Sequence, residues 1–74
     1  MKTLLIDDLV FAAHSPSCYE LLSVRDDVGA DARVYVRFDG KSWGIHYHAA
    51  STNIWRPFAS REAAIAMLAQ RRAA

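Results

Sequence analysis

The stretch Ala32-Arg33-Val34-Tyr35-Val36-Arg37-Phe38-Asp39-Gly40-Lys41-Ser42-Trp43-Gly44-Ile45-His46-Tyr47-His48 decides the fold. Two runs with period-2 patterning flank Asp39-Gly40. Successive side chains of a strand point to opposite faces, so such alternation marks a half-buried strand. Asp-Gly suits a two-residue type I′ turn, in which both central residues take positive φ. A turn there pairs Phe38 with Lys41, Val36 with Trp43, Val34 with Ile45 and Ala32 with Tyr47. These pairs share one apolar face, from which the Lys41 stem reaches water. Arg33, Tyr35, Arg37, Ser42, Gly44, His46 and His48 share the other face.

Downstream, the small polar residues of Ala49–Thr52 break the pattern. Asn53–Arg56 reads as a short fourth strand, and Pro57, which has no N–H, stops it from pairing further. Ser60 is a good N-cap for a last helix with Glu62 in its first turn. Ala63–Ala69 consists almost wholly of strong helix formers. Ala64, Ile65, Leu68 and Ala69 form its apolar stripe, and Arg71 and Arg72 suit its C-terminal end.

Upstream, Asp26–Asp31 is an acidic loop. Cys18–Arg25 reads as a strand in which Tyr19, Leu21, Leu22 and Val24 do not alternate cleanly. That suits a strand covered on both sides, or a bulge near Leu21-Leu22. His14–Ser17 is a turn, because Ser15 before Pro16 is pushed out of the α region. Residues 3–13 fit two readings. Capped by Thr3, they form a helix with Leu5, Ile6, Leu9, Ala12 and Ala13 as its stripe. Leu-Val-Phe at 9–11 has strand propensity instead. The helix is the reading taken here. The expected fold is a single α+β domain over residues 1–74: an antiparallel sheet of three or four strands, a C-terminal helix on one face, and a candidate N-terminal helix.

Composition bounds the function. With 53% hydrophobic and 23% charged residues, the chain is a folded globule. A chain of 74 residues buries only about 60–65% of its unfolded surface, so a partner or a second copy would add stability, and monomer and homodimer both stay open. Cys18 is the single cysteine, which excludes an intrachain disulfide and fits a reducing compartment. The opening Met1-Lys-Thr-Leu-Leu-Ile resembles a signal peptide until Asp7 and Asp8 interrupt it. No stretch has the ~18–20 apolar residues of a membrane span, so the expectation is a cytoplasmic protein without membrane contact. Charge is uneven. Residues 1–31 hold six acids and two bases, whereas residues 32–74 hold seven bases and two acids. Such asymmetry suits a polarised surface for a charged partner, unless folding interleaves the halves.

Chemistry finds little to build on. His46 and His48 point the same way from one strand, and a third metal ligand would have to come from Asp31 (placed opposite His48), His14 or Cys18. No Cys/His spacing matches a structural zinc site, so neither metal nor cofactor is expected. Ser15, Ser17, Cys18 and His14 bring a nucleophile near a base without an orienting third group. The adjacent pairs Asp7-Asp8 and Asp26-Asp27 diverge, and the glycines at 29, 40 and 44 make no phosphate loop. The chain is therefore read as no enzyme. The outer hairpin face is the best surface: Arg33, Tyr35, Arg37, His46 and His48 offer phosphate donors and a stacking platform, which Lys41, Arg56 and Arg61 extend. Tyr35, placed opposite Gly44, would cover that glycine. Trp43 belongs to the core. Trp55 either packs with Phe58 against the last helix or stands exposed as an interface anchor.

Two resemblances bear on function. Phe58-Ala59-Ser60-Arg61-Glu62-Ala63-Ala64-Ile65-Ala66-Met67-Leu68-Ala69, after a Trp-bearing hairpin, resembles the ending of integrase-arm and AP2-like DNA-binding domains. In that group a three-stranded sheet reads the major groove and such a helix braces it. With a first helix the order is also similar to double-stranded-RNA-binding domains. Their basic helix start would fall at Arg61-Glu62-Ala63-Ala64, which holds one base and argues against duplex RNA. By size, charge polarity and lack of an active site, the chain is also similar to small phage-encoded inhibitors of host defence, the anti-CRISPR type. That resemblance implies an inhibitor or adaptor docking on a larger protein or ribonucleoprotein complex. Its contact residues would be Asp26, Asp27 and Asp31 of the acidic loop, or Arg33, Tyr35, Arg37 and Trp55. The alternative is a small DNA- or RNA-binding domain using Arg33, Tyr35, Arg37, His46 and His48.

Overall fold

The computed structural model describes residues 2–23, 33–49 and 52–73, with side chains as far as residue 70. Its first two strands, β1 (Lys2–Ile6) and β2 (Leu9–Ser15), overturn the N-terminal helix. Asp7 and Asp8 link them with φ of 52° and 65°, and Ile6 faces Leu9. This is the two-residue, doubly positive-φ geometry of a type I′ turn, which aspartate tolerates better than most non-glycine residues. The helical stripe dissolves under it. Leu4 and Ile6 pair with Phe11 and Leu9 on one face, while Leu5 pairs with Val10 on the other. Two short strands on an existing sheet win over a helix of about three turns, which is marginal without packing.

Four more strands follow: β3 (Cys18–Leu21), β4 (Arg33–Phe38), β5 (Trp43–Ala49) and β6 (Thr52–Phe58). The six form one antiparallel sheet in sequence order. The expected three or four strands are thus an undercount, and the domain is mostly sheet with one short C-terminal helix, α1 (Arg61–Ala73). In β3 Tyr19, Glu20 and Leu21 are all buried, as expected of a strand covered on both sides. The irregularity lies in β2, between Ala13 and Ser15, not at Leu21-Leu22. β6 continues through Pro57, which lies opposite Gly44. As an edge strand β6 has one side without a sheet partner, so a proline is tolerated there.

The β4–β5 hairpin keeps its sidedness but not its register. Phe38 faces Trp43, Val36 faces Ile45, and Val34 faces Tyr47. The turn is centred on Gly40-Lys41, one residue later than Asp39-Gly40. Asp39 N–H donates to the Ser42 carbonyl at 3.1 Å, and Asp39 Oδ1 accepts from the Lys41 and Ser42 N–H groups at 2.9 Å. Those two bonds hold the Asp39 carboxyl below its usual pKa. Gly40 carries the positive φ, at 100°. Asp39 serves as a side-chain acceptor and does not need positive φ itself. The register moves by an even number, so no side chain changes face. The Ala32–Tyr47 pairing lies outside the described residues.

The core face holds Leu9, Phe11, Tyr19, Leu21, Val34, Val36 and Ile45, with Trp43, Tyr47 and Phe58 partly buried. Ala64, Ile65 and Leu68 of α1 close over it, and the helix packs against β4, β5 and β6. Burying each large side chain contributes about 1.5–3 kcal/mol. Ser60 caps the helix: its Oγ accepts from Ala63 N–H at 3.1 Å. Because α1 occupies this face, no described helix lies on the other face of β4–β6.

The open face of the sheet as candidate site

Strand pairing builds this site. Ala12, Glu20, Tyr35, His46 and Trp55 are successive partners across β2, β3, β4, β5 and β6. They form one row across the sheet. A neighbouring row runs Cys18, Arg37, Gly44, Pro57, and another runs Arg33, His48, Asn53. Partners on a strand pair lie within side-chain reach of each other. Tyr35 and His46 rings are 6.1 Å apart, His14 and Tyr35 6.4 Å, and His46 and His48 5.9 Å edge to face. Arg33, Tyr35, Arg37, His46 and His48 therefore share one face, as the alternation predicts.

Several details differ. Arg37, not Tyr35, lies opposite Gly44, and Arg33, not Asp31, lies opposite His48. The glycine is covered by Trp55, whose ring sits over it. Trp55 is half-buried and on the opposite face from Phe58, so it does not pack with Phe58 against α1. Arg56, partnered with Ile45, shares the α1 side. Arg61 also lies there, donating to Tyr19 Oη at 3.2 Å with its guanidinium 5.5 Å from the ring centroid. Neither extends the site. Tyr19 stacks in turn on Trp43, which is half-buried. Asp26, Asp27 and Asp31 lie outside the described residues.

Between Ala12 and Tyr35 in the main row stands Glu20, 7% exposed. Its Oε1 meets His14 Nε2 and its Oε2 accepts from Arg33 Nη1, each at 2.9 Å. The bond from His14 foremost, then Arg33, holds its pKa below the usual carboxylate value against the opposing effect of burial. Sequence reasoning passed over Glu20 and its pairing with His14. The signal was there: one carboxylate inside a strand read as covered on both faces needs partners. His46 Nε2 meets Asn53 Oδ1, which fixes the ring over the sheet. Beside this row Ser17, Cys18, Tyr35, Arg37, Phe38 and His46 line an open pocket of about 260 Å³. Among the described residues no three His, Cys, Asp or Glu side chains converge as metal ligands. None of the described helices is long and apolar enough to cross a membrane.

The far end of the same face is apolar. Leu5 is 71% exposed and pairs with Val10, whose carbonyl accepts from the N–H of Leu22, itself 47% exposed. No family model, curated protein or solved structure matches the chain.

Proposed function

We propose that this protein is a binding protein, not an enzyme, and that the open face of β4–β6 engages a nucleic-acid strand. The row Tyr35–His46–Trp55, running across three strands with Arg33 and Arg37 beside it, is the observation that carries this reading. Flat rings in series suit unpaired bases, because every base has a π-face. Arg33 retains 60% side-chain exposure despite its bond to Glu20, so it can still meet a phosphate. The charge available favours a single strand over a duplex. Among the described residues, Arg33, Arg37 and Lys41 are the cations on or beside this face. Two or three phosphate contacts make a salt slope of only about −2, too little electrostatic affinity for tight duplex binding.

Fluorescence anisotropy with a labelled ten-residue oligothymidine and a matching duplex tests this. The single strand is expected to bind more tightly than the duplex. Tyr35→Ala and His46→Ala are each expected to weaken it by roughly five- to hundredfold, the range of one lost base–ring stack. Equal affinity of wild type and both variants would remove the stacking role.

A second reading has its own observation. The exposed Leu5 and Leu22 around Val10 suit contact with a protein, since exposed apolar side chains grouped together mark interaction surfaces. An inhibitor or adaptor of the anti-CRISPR type would dock through them onto a larger complex. Under that reading Leu5→Asp abolishes partner binding while the oligonucleotide titration stays flat.

A further inference from the structure

We infer that the pocket lined by Ser17, Cys18, Tyr35, Arg37, Phe38 and His46 binds a phosphate group. The inference deepens the nucleic-acid reading and rests on it for the source of the phosphate. Arg37 is the reason. Its strand partners are Cys18 on one side and Gly44 on the other, neither of them charged. Among the described residues it has no carboxylate partner, whereas Arg33 pairs with Glu20 and Arg61 with Glu62. Glu20, on the neighbouring row, has both oxygens engaged, by His14 and Arg33, and is not free to neutralise Arg37. A half-buried arginine that lines an open concavity and lacks a carboxylate partner favours a planar or tetrahedral oxyanion, which a guanidinium can grip with two N–H groups. The Tyr35 and Ser17 hydroxyls add donors from a strand and a turn around the same opening, while His46 Nε2 is taken up by Asn53 Oδ1.

Size narrows the ligand. About 260 Å³ falls below the ~300–1,000 Å³ of sites that enclose a drug-sized molecule. The pocket has ample room for a phosphate group. Its place beside the row Tyr35–His46–Trp55 lets a strand whose bases lie on those rings set one backbone phosphate against Arg37.

The test has two arms. In the first, inorganic phosphate is titrated at constant ionic strength into ¹⁵N-labelled protein. Saturable shifts of the Cys18, Arg37 and His46 amides are expected, with affinity at least ~tenfold lower in Arg37→Gln, the loss appropriate to a charged hydrogen-bonded contact. Arg37→Lys, which keeps the charge and the fold, is expected to restore part of that loss. In the second arm, an oligothymidine without terminal phosphate is bound to wild type, Arg37→Gln and Tyr35→Ala. Arg37→Gln is expected to weaken binding and to make the salt slope shallower by roughly one contact. If phosphate moves no pocket amide and Arg37→Gln binds the oligonucleotide as wild type does, the phosphate site is overturned, while a Tyr35→Ala defect would leave the stacking face standing. If phosphate saturates the pocket through Arg37 but no oligonucleotide binds, the site is upheld for a free phosphate and the nucleic-acid reading falls.

Discussion

Trp55 lies so close over Gly44 that a methyl group on the glycine would stand 2.6 Å from Trp55 Cζ2, and as close to the Arg56 carbonyl oxygen. The glycine is therefore a packing requirement of the open face, where a ring and a backbone approach the same point. Gly44→Ala is expected to cost about 1–3 kcal/mol by overpacking, since the backbone oxygen cannot move aside as a side-chain tip would. For a domain of this size that lowers Tm by at least about 5 °C. An unchanged Tm in thermal denaturation would show that Trp55 does not sit there.

Asp7 and Asp8 decide between strand and helix at the N-terminus. In the type I′ turn both carry positive φ, a conformation that costs non-glycine residues about 1 kcal/mol. Asp8→Gly should relieve that cost and raise stability by roughly 0.5–1 kcal/mol. In a helix over 3–13 the same change would instead lose about 0.3 kcal/mol of helix propensity, since Asp ranks just above Gly. The sign of the change in the urea midpoint discriminates between the two.

Glu20 gives the fold a defined acid sensitivity. Its carboxyl titrates lower in the folded state than its ordinary value of 4.5. The unfolded chain takes up that proton first as pH falls. The contribution is therefore fully present above about pH 5 and is lost as pH falls through 4.5 toward the lowered folded value. Glu20→Gln should flatten that part of the stability–pH curve. Glu20→Ala, which strips a buried acceptor from two donors, should cost about 1–3 kcal/mol. Arg33→Ala removes only a half-exposed partner and should cost at most about 1 kcal/mol. Urea denaturation between pH 3 and 7 checks all three.

Sidedness was legible in the sequence and register was not. Val34, Val36 and Ile45 were assignable to the core, and Arg33, Tyr35, Arg37, His46 and His48 to the open face, from alternation alone. Register depends on which residue supplies positive φ, and Asp39 can equally serve as a side-chain acceptor before a Gly40-Lys41 turn. The N-terminal hairpin escaped because Asp7-Asp8 lacks the glycine that usually marks a tight turn, while Leu5 and Leu9 happen to fall at helical spacing. Ser60 and its helix were recoverable because capping is local. Trp55 over Gly44 was hidden because it is a diagonal contact between β5 and β6, visible only once the pairing is known.

Titration of the labelled protein with a single-stranded oligothymidine, followed by amide shifts, tests the central claim most directly. Binding through the open face predicts that the largest changes fall on Tyr35, Arg37, His46, His48 and Trp55, with α1 nearly silent. Changes centred on α1 and Arg56, or no change at a tenfold excess of oligonucleotide, would contradict it.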